Sequence, residues 1–475
     1  MKKAIIIGGG ISGLSTAWLL REKAAAAGLE LQVELLEKES QAGGKMRSIH
    51  AQGYTCEWGP NGFLDSKPHT LELCRRMGIA SSLMRSNDNA RKRFIYSGGE
   101  LHRLPENALS FFRSRLIAWP GKLRLAMEPT PFIKTAPVGT DETLADFGRR
   151  RLGREALEKL IAPMVSGVFA GDPETMSLVS CFPRIAELER EYGGLVRAMF
   201  CLAGQKRKER AAGKVVSGAA GPGGILTSFP EGIQFLTDAL TVQLGEAVKC
   251  GKQAVTLKKG QSSAWHVQCA DASEYEADYA VVAAPAFSSA ELLGGIDTRF
   301  SEVLGAIRYS SLTVVCCGYA REAVSNHLDG FGYLIPKGEG RNILGTLWDS
   351  SMFDNRAPAG KVLLRSMIGG ACFPQYINMD DAELLALVEA DLKQVLGITA
   401  EPEFVRIFRH PQAIPQYTVG HGARLAALGT LLHDYPGLVL TGNAYRGVGL
   451  NDCVAASERA ANTVIDKMTG KQNLP

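Results

Sequence analysis

The sequence predicts an α/β protein whose amino-terminal unit is built on a parallel sheet. Ala4–Ile7 is a continuous apolar run, mostly of β-branched residues, as in strands that are buried on both faces. Glycines at positions 8, 10 and 13 follow it, and apolar residues then recur at helical spacing from Leu14. A second strand is predicted at Val33–Glu37. This strand–turn–helix–strand order is typical of a Rossmann-type unit, which binds a dinucleotide.

The glycines and the acidic residue have separate physical tasks in such a unit. Gly8 permits the tight turn from strand to helix, Gly10 lets the backbone approach a pyrophosphate, and Gly13 allows the helix to pack closely on the sheet. The N-terminus of the helix attracts the phosphate charge. Glu37 can accept hydrogen bonds from ribose hydroxyls and disfavours a 2′-phosphate, so NADP is not the expected ligand.

Later glycine-rich turns favour FAD over NAD. Gly43–Ser48 brings two glycines and two cations just beyond the ribose acid, which suits the pyrophosphate of a long, extended cofactor. Glu57–Phe63 contains a further glycine-rich turn that could lie under a flavin ring. Near the carboxyl end, the buried strand Leu438–Thr441 leads into the glycine-rich loop 442–450, and a helix is predicted from Asn451. The N-terminus of that helix could stabilise the negative charge of a reduced flavin ring.

Composition limits the other function classes. At 475 residues the chain suits roughly two to three domains. A net charge of +4 is nearly neutral at this size and gives no case for nucleic acid as a partner. The ten cysteines include no CxxC pair and the eight histidines form no metal-like cluster, so no metal is expected. The chain shows no cleavable signal and no apolar span of about twenty residues, which predicts a cytoplasmic protein.

Residues 109–125 have a distinct composition. The segment mixes aromatic residues, leucines and cations and contains no acidic residue. Such a mixture is typical of an amphipathic segment at a membrane interface, with aromatic rings among the headgroups and cations facing anionic lipid. The alternative is a helix that packs on the protein core with a basic solvent face. Farther along, the basic run 205–210 and the Gly/Ala-rich stretch 211–224 predict a solvated loop without a specific site.

Seven motifs together resemble the protoporphyrinogen oxidase family, within the flavin amine oxidase superfamily. Gly8–Leu14 and Gly43–Ser48 mark only the superfamily. The motifs more specific to the family are Gly59–Phe63, Ser166–Asp172, Gly330–Pro336, Ile414–His421 and Gly442–Cys453. The resemblance covers nearly the whole chain. It implies an α/β fold with a Rossmann-type, p-hydroxybenzoate-hydroxylase-like FAD-binding domain, a mixed-sheet substrate domain and a helical membrane-associating domain.

The resemblance also implies where the domains and contacts lie. The FAD-binding domain would be assembled from residues 1–92, 225–295 and 425–475, with the helical membrane and substrate-access domain at 93–210 and the substrate-binding domain at 296–424. The implied contacts to non-covalent FAD are Gly8, Gly9, Gly10, Ile11, Ser12, Gly13, Glu37, Lys38, Gly44, Lys45, Gly59, Pro60, Asn61, Gly62, Val255, Gly442, Asn443, Val448, Gly449 and Leu450.

The implied substrate contacts form a second, smaller set. Arg93 would pair with a propionate, Phe331 and Leu334 would clamp the macrocycle, and Gly167 would lie near the reacting edge. The sequence departs from the family at His410, where a tryptophan often packs near the flavin. The local packing of the ring is therefore the part of the resemblance that the sequence does not support.

The reaction implied by the resemblance is the oxidation of protoporphyrinogen IX to protoporphyrin IX in heme biosynthesis. It removes six electrons in three two-electron steps, as hydride transfers to flavin N5. O2 or another electron acceptor then reoxidises the flavin, and with O2 the product is H2O2. Because the flavin is the electron sink, no catalytic acid or base is expected from the protein. The resemblance further implies a peripheral protein on the inner face of the cell membrane, and it is compatible with a homodimer.

Three other interpretations stay open at this point. Relatives of the same fold oxidise coproporphyrinogen III to coproporphyrin III, and the motifs separate the two substrates poorly, although Asn443–Cys453 resembles the protoporphyrinogen enzymes more closely. An amine oxidase or a carotenoid desaturase would share the cofactor site, but Cys453 falls inside a predicted helix, away from any covalent link to flavin. A carrier protein that has lost its cofactor is disfavoured by the intact phosphate turn and by Glu37.

Overall fold

The computed structural model of the protein describes residues 1–130, 132, 133, 135, 137, 139–211, 224–260 and 264–470. The Gly/Ala-rich stretch predicted as a solvated loop lies outside these residues from position 212 to position 223.

The strands, in chain order, are β1 (Lys2–Ile7), β2 (Leu31–Leu36), β3 (Ser48–Ala51), β4 (Tyr54–Glu57), β5 (Phe63–Leu64), β6 (Met84–Arg85), β7 (Arg93–Ser97), β8 (Glu100–Arg103), β9 (Leu226–Ser228), β10 (Val248–Lys249), β11 (Ala254–Lys259), β12 (Trp265–Cys269), β13 (Glu274–Ala277), β14 (Tyr279–Val282), β15 (Tyr309–Ala320), β16 (Gly332–Leu334), β17 (Ile343–Trp348), β18 (Lys361–Gly369), β19 (Phe404–Pro415) and β20 (Leu438–Leu440).

The α-helices are α1 (Ile11–Ala26), α2 (Pro68–Arg76), α3 (Ala108–Arg113), α4 (Trp119–Ala126), α5 (Leu144–Phe147), α6 (Arg154–Ala156), α7 (Ala162–Phe169), α8 (Leu178–Cys181), α9 (Pro183–Tyr192), α10 (Leu195–Ala211), α11 (Gln234–Leu244), α12 (Ala286–Gly294), α13 (Thr298–Gly305), α14 (Asp349–Met352), α15 (Asp381–Leu396), α16 (His421–His433) and α17 (Leu450–Thr469).

The amino-terminal strand lies in a five-stranded parallel sheet with the order β10-β2-β1-β14-β20. Alternate residues of β1 face opposite sides of this sheet. Ala4 and Ile6 belong to a hydrophobic core shared with α1 and α17, whereas Ile5 and Ile7 belong to a second core shared with α12 and α13. Helices therefore cover both faces, which is why the buried part of β1, Ala4–Ile7, is apolar throughout. The predicted α/β fold with a Rossmann-like parallel sheet is confirmed.

The largest sheet has seven strands in the order β19-β15-β18-β17-β16-β7-β8. Most neighbours are antiparallel, and β16 pairs with β7 in parallel. β7 and β8 fall in the range 93–210 that was expected to be helical. They form a hairpin instead, because Gly98 and Gly99 adopt positive φ angles of 61° and 85° and make the two-residue turn that joins such strands.

In the helical part of the chain, α3 to α10, a buried arginine pairs with acids from two separate segments. Arg151 is fully buried, and its Nε lies 2.8 Å from Glu189 Oε1 and 3.5 Å from Glu128 Oε1. These two acids come from α9 and from the chain that follows α4, so the ion pairs join distant helices. Within the residues that the structure describes, no helix is both long enough and apolar enough to cross a membrane.

The segment 109–125 has one buried and one exposed apolar side. Its exposed apolar side chains are Leu109, Phe112, Trp119 and Leu123. Leu116 and Ile117 are buried in the protein. Lys122 is also buried, and its Nζ donates to the carbonyl oxygens of Phe112 (2.8 Å) and Ser114 (2.7 Å). This cation joins α3 to α4. The interpretation as an amphipathic segment expected it to face solvent or lipid, and it does not.

Candidate cofactor and substrate site

The glycine turn between β1 and α1 lies at the carboxyl edge of the parallel sheet. Gly8 has a φ of 108°, and its N–H donates to the carbonyl oxygen of Leu36 (2.8 Å). A Cβ on Gly13 would overlap the carbonyl oxygen of Gly8, so only glycine fits at this crossing. Gly10 caps α1 at Ile11, and a Cβ there would meet no other part of the described chain within 4 Å. The turn therefore leaves open space where the sequence predicts a pyrophosphate.

Glu37 follows β2 and contacts this turn. Its buried carboxylate accepts hydrogen bonds from the N–H groups of Gly9 (2.6 Å) and Glu39 (2.8 Å). Each oxygen keeps a further acceptor position, so the contact of Glu37 with a ribose stays a prediction. Lys38, by contrast, has an exposed side chain that lies 3.6 Å from Glu39 Oε1.

The second glycine pair packs directly on the first turn. The N–H of Gly43 donates to the carbonyl oxygen of Gly9 (2.8 Å). A Cβ on Gly44 would lie 3.1 Å from the Cα of Gly10. The two turns predicted separately from the sequence are thus adjacent in space.

Lys45 joins this turn to β19. Its Nζ donates to the carbonyl oxygens of Gln412 (2.6 Å) and Ala413. The surrounding protein desolvates this ammonium group in part and lowers the pKa of Lys45 to about 8. Among the described residues Lys45 has no acidic partner, so its charge is available to an anion.

The third glycine-rich turn fits closely against its neighbours. A Cβ on Gly59 would lie 2.5 Å from the carbonyl oxygen of Lys45. A Cβ on Gly62 would overlap the carbonyl oxygen of Thr227. Pro60, between them, is exposed. The turn therefore lies beside the other two glycine turns, as a shared cofactor site requires.

Two buried charged residues, neither of them predicted from the sequence, hold this turn. Arg365 of β18 donates to the carbonyl oxygen of Gly59 (2.8 Å) and to Asn61 Oδ1. Asp349 accepts from Asn61 Nδ2 (3.0 Å) and lies 2.9 Å from Arg365 Nε. The available signal was an arginine in the middle of a mostly apolar strand, because a buried guanidinium requires partners.

His410 packs against Trp58, which precedes the third turn. The two ring centres are 5.0 Å apart, and His410 Nε2 donates to the carbonyl oxygen of Trp58 (2.9 Å). The guanidinium of Arg47 lies 4.9 Å from the Trp58 ring. Burial lowers the pKa of His410, and the nearby Lys45 charge adds to this effect. The indole beside this turn therefore comes from Trp58, and position 410 supplies a hydrogen-bonded imidazole.

The carboxyl-terminal loop follows β20, whose end lies near the first glycine turn because β1, β14 and β20 are parallel. Gly442 has a φ of 134°. The Tyr417 hydroxyl donates to the carbonyl oxygen of Asn443, and His421 Nε2 donates to that of Tyr445 (2.9 Å). The Tyr417 and His421 rings stack with centres 4.2 Å apart. The Ile414–His421 motif thus shapes the loop.

The helix after this loop packs on α1. Gly449 caps α17, and Leu450 is buried in the core shared with α1. The Ser457 hydroxyl donates to the carbonyl oxygen of Ser12 (2.9 Å). Val448 packs instead against the core of the helical part. The predicted contacts of these residues with the flavin stay predictions.

Val255 lies on β11 and is half exposed. Three residues earlier, the N–H of Lys252 donates to the carbonyl oxygen of Glu37 (2.8 Å). β11 therefore begins beside Glu37, where the adenosine half of a dinucleotide is predicted. The contact of Val255 with adenine is not tested by this geometry.

Arg93 and Phe331 form one pair in the predicted substrate set. Arg93 begins β7 opposite Gly332 of β16, and its guanidinium lies 5.4 Å from the Phe331 ring centre. Burial lowers the pKa of Arg93. No described residue forms a hydrogen bond or an ion pair with its side chain. A largely desolvated cation without a counter-ion is suited to bind an anion.

Gly167 and Leu334 form the second pair. A Cβ on Gly167 would lie 2.9 Å from Leu334 Cδ1, so α7 approaches β16 closely at this point. Both pairs therefore lie along β16, one at each end of that strand. The structure brings the four predicted substrate residues together in this way, and their contact with a substrate stays a prediction.

Comparisons with known proteins agree on one family. The model of the flavin containing amine oxidoreductases matches residues 11–465. The chain is 31% identical to the chloroplastic protoporphyrinogen oxidase of Oryza sativa subsp. japonica, over 98% of this chain and 88% of the relative. It is 29% identical to the coproporphyrinogen III oxidase of Bacillus subtilis, over 98% of both chains. The crystal structure of an Exiguobacterium protein assigned as a protoporphyrinogen oxidase superimposes with a TM-score of 0.81 at 26% identity, over 98% of both chains.

Proposed function

The chain belongs to the flavin-containing amine oxidoreductase family, in the branch of the protoporphyrinogen and coproporphyrinogen III oxidases, and is an FAD-dependent oxidoreductase; we propose that it oxidises a porphyrinogen in heme biosynthesis. The resemblance inferred from the seven motifs is confirmed at the family level. When bound, the flavin supplies the electron sink for this reaction. The remaining tasks of the protein are to bind the macrocycle, to orient it and to exclude water.

FAD would lie along the cleft that the glycine turns share. The open space beside Gly10 accommodates a pyrophosphate, and the available charge of Lys45 lies one turn away. The third turn, Gly59–Gly62, and the loop 442–450 would border the flavin ring. These residues fit the cofactor because the cleft combines backbone N–H groups, a cation and glycines that leave room for close approach.

The observation that carries the substrate proposal is that the Arg93 guanidinium has no anionic partner among the described residues. This guanidinium is half-buried and lies against an aromatic ring. A porphyrinogen offers both a carboxylate for the cation and an apolar ring for Phe331 and Leu334. Because the flavin is the electron sink, the proposed site residues serve to bind and orient the macrocycle.

We propose protoporphyrinogen IX as the substrate and coproporphyrinogen III as the second candidate. The loop motif Asn443–Cys453 and the exposed apolar segment 109–125 favour the less polar substrate. The full-length similarity to the Bacillus subtilis enzyme favours the second candidate. Anaerobic mixing of the purified protein with each porphyrinogen tests both, because flavin absorbance is lost as hydride is transferred. Admitting O2 should restore the absorbance and form H2O2. Flavin that stays oxidised with both compounds would exclude the proposal.

Replacing Arg93 with alanine is expected to raise the KM for the porphyrinogen about 10- to 100-fold, because a charge-assisted contact contributes about 1.5–3 kcal/mol. The turnover number should change much less, since the lost contact serves ground-state and transition-state binding alike. Steady-state kinetics of Arg93→Ala measure both constants. Arg91→Ala is the control, because Arg91 lies in the same basic stretch with an exposed side chain. An unchanged KM in Arg93→Ala would remove Arg93 from the substrate site.

We also propose that the exposed side of segment 109–125 contacts a membrane surface, peripherally and on the cytoplasmic side. The support is the exposure of Trp119 (65%) and Leu123 (63%) on α4, together with the exposed cations Arg113 and Arg115 beside α3. Transfer of aromatic and leucine side chains from water into the headgroup layer is favourable, and cations attract anionic lipid.

The double variant Trp119→Ser/Leu123→Ser is expected to bind vesicles at least about tenfold more weakly, because each apolar side chain contributes about 1.5–3 kcal/mol when it leaves water. Co-sedimentation with vesicles of equal parts phosphatidylcholine and phosphatidylglycerol measures this. Val242→Ser is the matched control, since Val242 is an equally exposed apolar residue (80%) on α11. Equal losses in the two variants would contradict a specific membrane contact of the segment.

A further inference from the structure

Arg365 occupies an unusual position for a charged residue. It lies in the middle of β18, in the interior of the seven-stranded sheet, and only 3% of its surface is exposed. Its NH1 donates to the carbonyl oxygens of Gly59 (2.8 Å) and Glu57 (3.3 Å), and its NH2 donates to Asn61 Oδ1. One guanidinium therefore holds two groups of the Gly59–Gly62 turn and the carbonyl oxygen of Glu57, at the end of the strand that leads into the turn.

Asp349 completes this arrangement from the opposite side. Its Oδ2 lies 2.9 Å from Arg365 Nε, and its Oδ1 accepts from Asn61 Nδ2 (3.0 Å). Asp349 is also buried. Arg365, Asp349 and Asn61 thus form a closed triangle in which both charges are paired and both ends of the Asn61 amide are engaged. A side chain bonded at both ends has one orientation, so the turn that carries it is fixed.

The sheet register relates this triangle to the proposed substrate site. Arg365 lies opposite Leu347, Leu347 lies opposite Gly332, and Gly332 lies opposite Arg93. These residues form one row across four neighbouring strands. Three strand spacings amount to about 14 Å, and residues directly opposite each other share a face of the sheet. The row therefore sets the distance between Arg93 and the turn that Arg365 holds.

We propose that Arg365 and Asp349 are positioning residues that hold the Gly59–Gly62 turn, and with it the flavin, at a fixed distance from the carboxylate anchor Arg93. This inference rests on the proposed function for the role of Arg93. A rigid sheet separates the two binding elements, so neither can move toward the other without breaking the row. Because hydride transfer depends steeply on the placement of the reacting atoms, a loosened turn slows the reaction even when the substrate still binds.

The test compares two buried arginines in the full-length protein. Arg365→Lys keeps the charge and loses the forked contacts to the turn. Arg356→Lys is the matched control, because Arg356 is equally buried and donates to the side chain of Glu57, at the end of β4, and to the carbonyl oxygen of Phe229 (3.2 Å), but to no residue of the Gly59–Gly62 turn. Three properties are measured: the dissociation constant of FAD, the visible absorbance and circular dichroism of the bound flavin, and its anaerobic reduction rate at saturating porphyrinogen.

Arg365→Lys is expected to bind FAD about tenfold more weakly, since charge-assisted hydrogen bonds to the turn are lost. The flavin bands should shift, and the reduction rate per bound flavin should fall about a hundredfold while the KM stays within about twofold. Arg356→Lys should lower thermal stability and leave all the flavin properties unchanged. Asp349→Asn should change the flavin properties in the same direction to a smaller extent, and it decides the matter if Arg365→Lys does not fold.

Unchanged flavin bands and FAD affinity in Arg365→Lys, or in Asp349→Asn where only that variant folds, would overturn the inference, because the cluster would then act only on stability. Equal changes in Arg356→Lys and Arg365→Lys would overturn it too. These outcomes are distinct from failure of the proposed function. If wild-type flavin is not reduced by a porphyrinogen, the FAD affinity and the flavin spectra still report whether Arg365 positions the turn.

Discussion

Replacing Gly13 with alanine is expected to yield a protein that has lost both its flavin and part of its stability. The added Cβ would overlap the carbonyl oxygen of Gly8, which is backbone and has no rotamer through which to move away. Either α1 shifts from the sheet or the turn opens. Overpacking of this kind costs about 1–3 kcal/mol, and occasionally more. Visible absorbance of the purified protein and its urea unfolding midpoint measure the two losses.

A comparison with Gly10→Ala separates binding from folding. Gly10 has ordinary extended angles (φ −71°, ψ 178°), and a Cβ there would meet open space. The apoprotein should therefore unfold as the wild type does, while FAD affinity falls about 10- to 100-fold because the methyl group occupies the place of the pyrophosphate and its charge-assisted contacts. Gly204→Ala, in the exposed part of α10, is expected to retain both properties. Full FAD affinity in Gly10→Ala would place the pyrophosphate elsewhere.

Replacing Arg356 with methionine is expected to destabilise the protein by about 3–5 kcal/mol, because it leaves an uncompensated carboxylate in the interior. Arg356 NH2 lies 3.3 Å from Glu57 Oε1, and both side chains are almost fully buried. Glu57 also accepts from the hydroxyl of Ser48 (2.6 Å) and the N–H of Ile233 (3.0 Å), so it cannot turn to solvent. Equilibrium denaturation in urea measures the change in the free energy of unfolding.

The pH dependence of this loss follows from the pKa of Glu57, which burial raises to about 7. A folded-state pKa above the unfolded value means that the folded protein holds the extra proton between about pH 4.5 and pH 7, so stability falls as the pH rises through this window. In the wild type the positive charge of Arg356 stabilises the Glu57 carboxylate, so stability falls less with rising pH than it would without this arginine. The difference between wild type and Arg356→Met should therefore be larger at pH 8 than at pH 6. Glu57→Gln/Arg356→Met should recover most of the loss, and a double variant as unstable as the single one would show that packing, not charge, is responsible.

The fold around the predicted cofactor site could be inferred from the sequence because its elements are local. A buried strand, a glycine turn and a helix N-terminus are encoded within the first twenty or so residues, and the glycine at position 13 is required by a contact with a residue five positions earlier. The structure also places Gly43 against Gly9, as expected from the position of the second glycine pair just after Glu37 in the chain. The hairpin at Gly98–Gly99 was missed although its signal is equally local, because the range was assigned by resemblance to a helical domain and not by its turn chemistry.

Only the tertiary structure decided the contacts between distant segments. Arg365 and Asn61 are 304 positions apart, and no periodicity connects a strand of one sheet to a loop beside another. The partner of Arg356 is likewise set by long-range packing, because Glu57 lies 299 positions away along the chain. Local patterns encode short-range geometry. A buried charge, by contrast, is stabilised only by the partners that the fold places beside it, and these can come from anywhere in the chain. The sequence therefore determined that the protein binds FAD and which family it belongs to, and the fold determined how the Gly59–Gly62 turn is held.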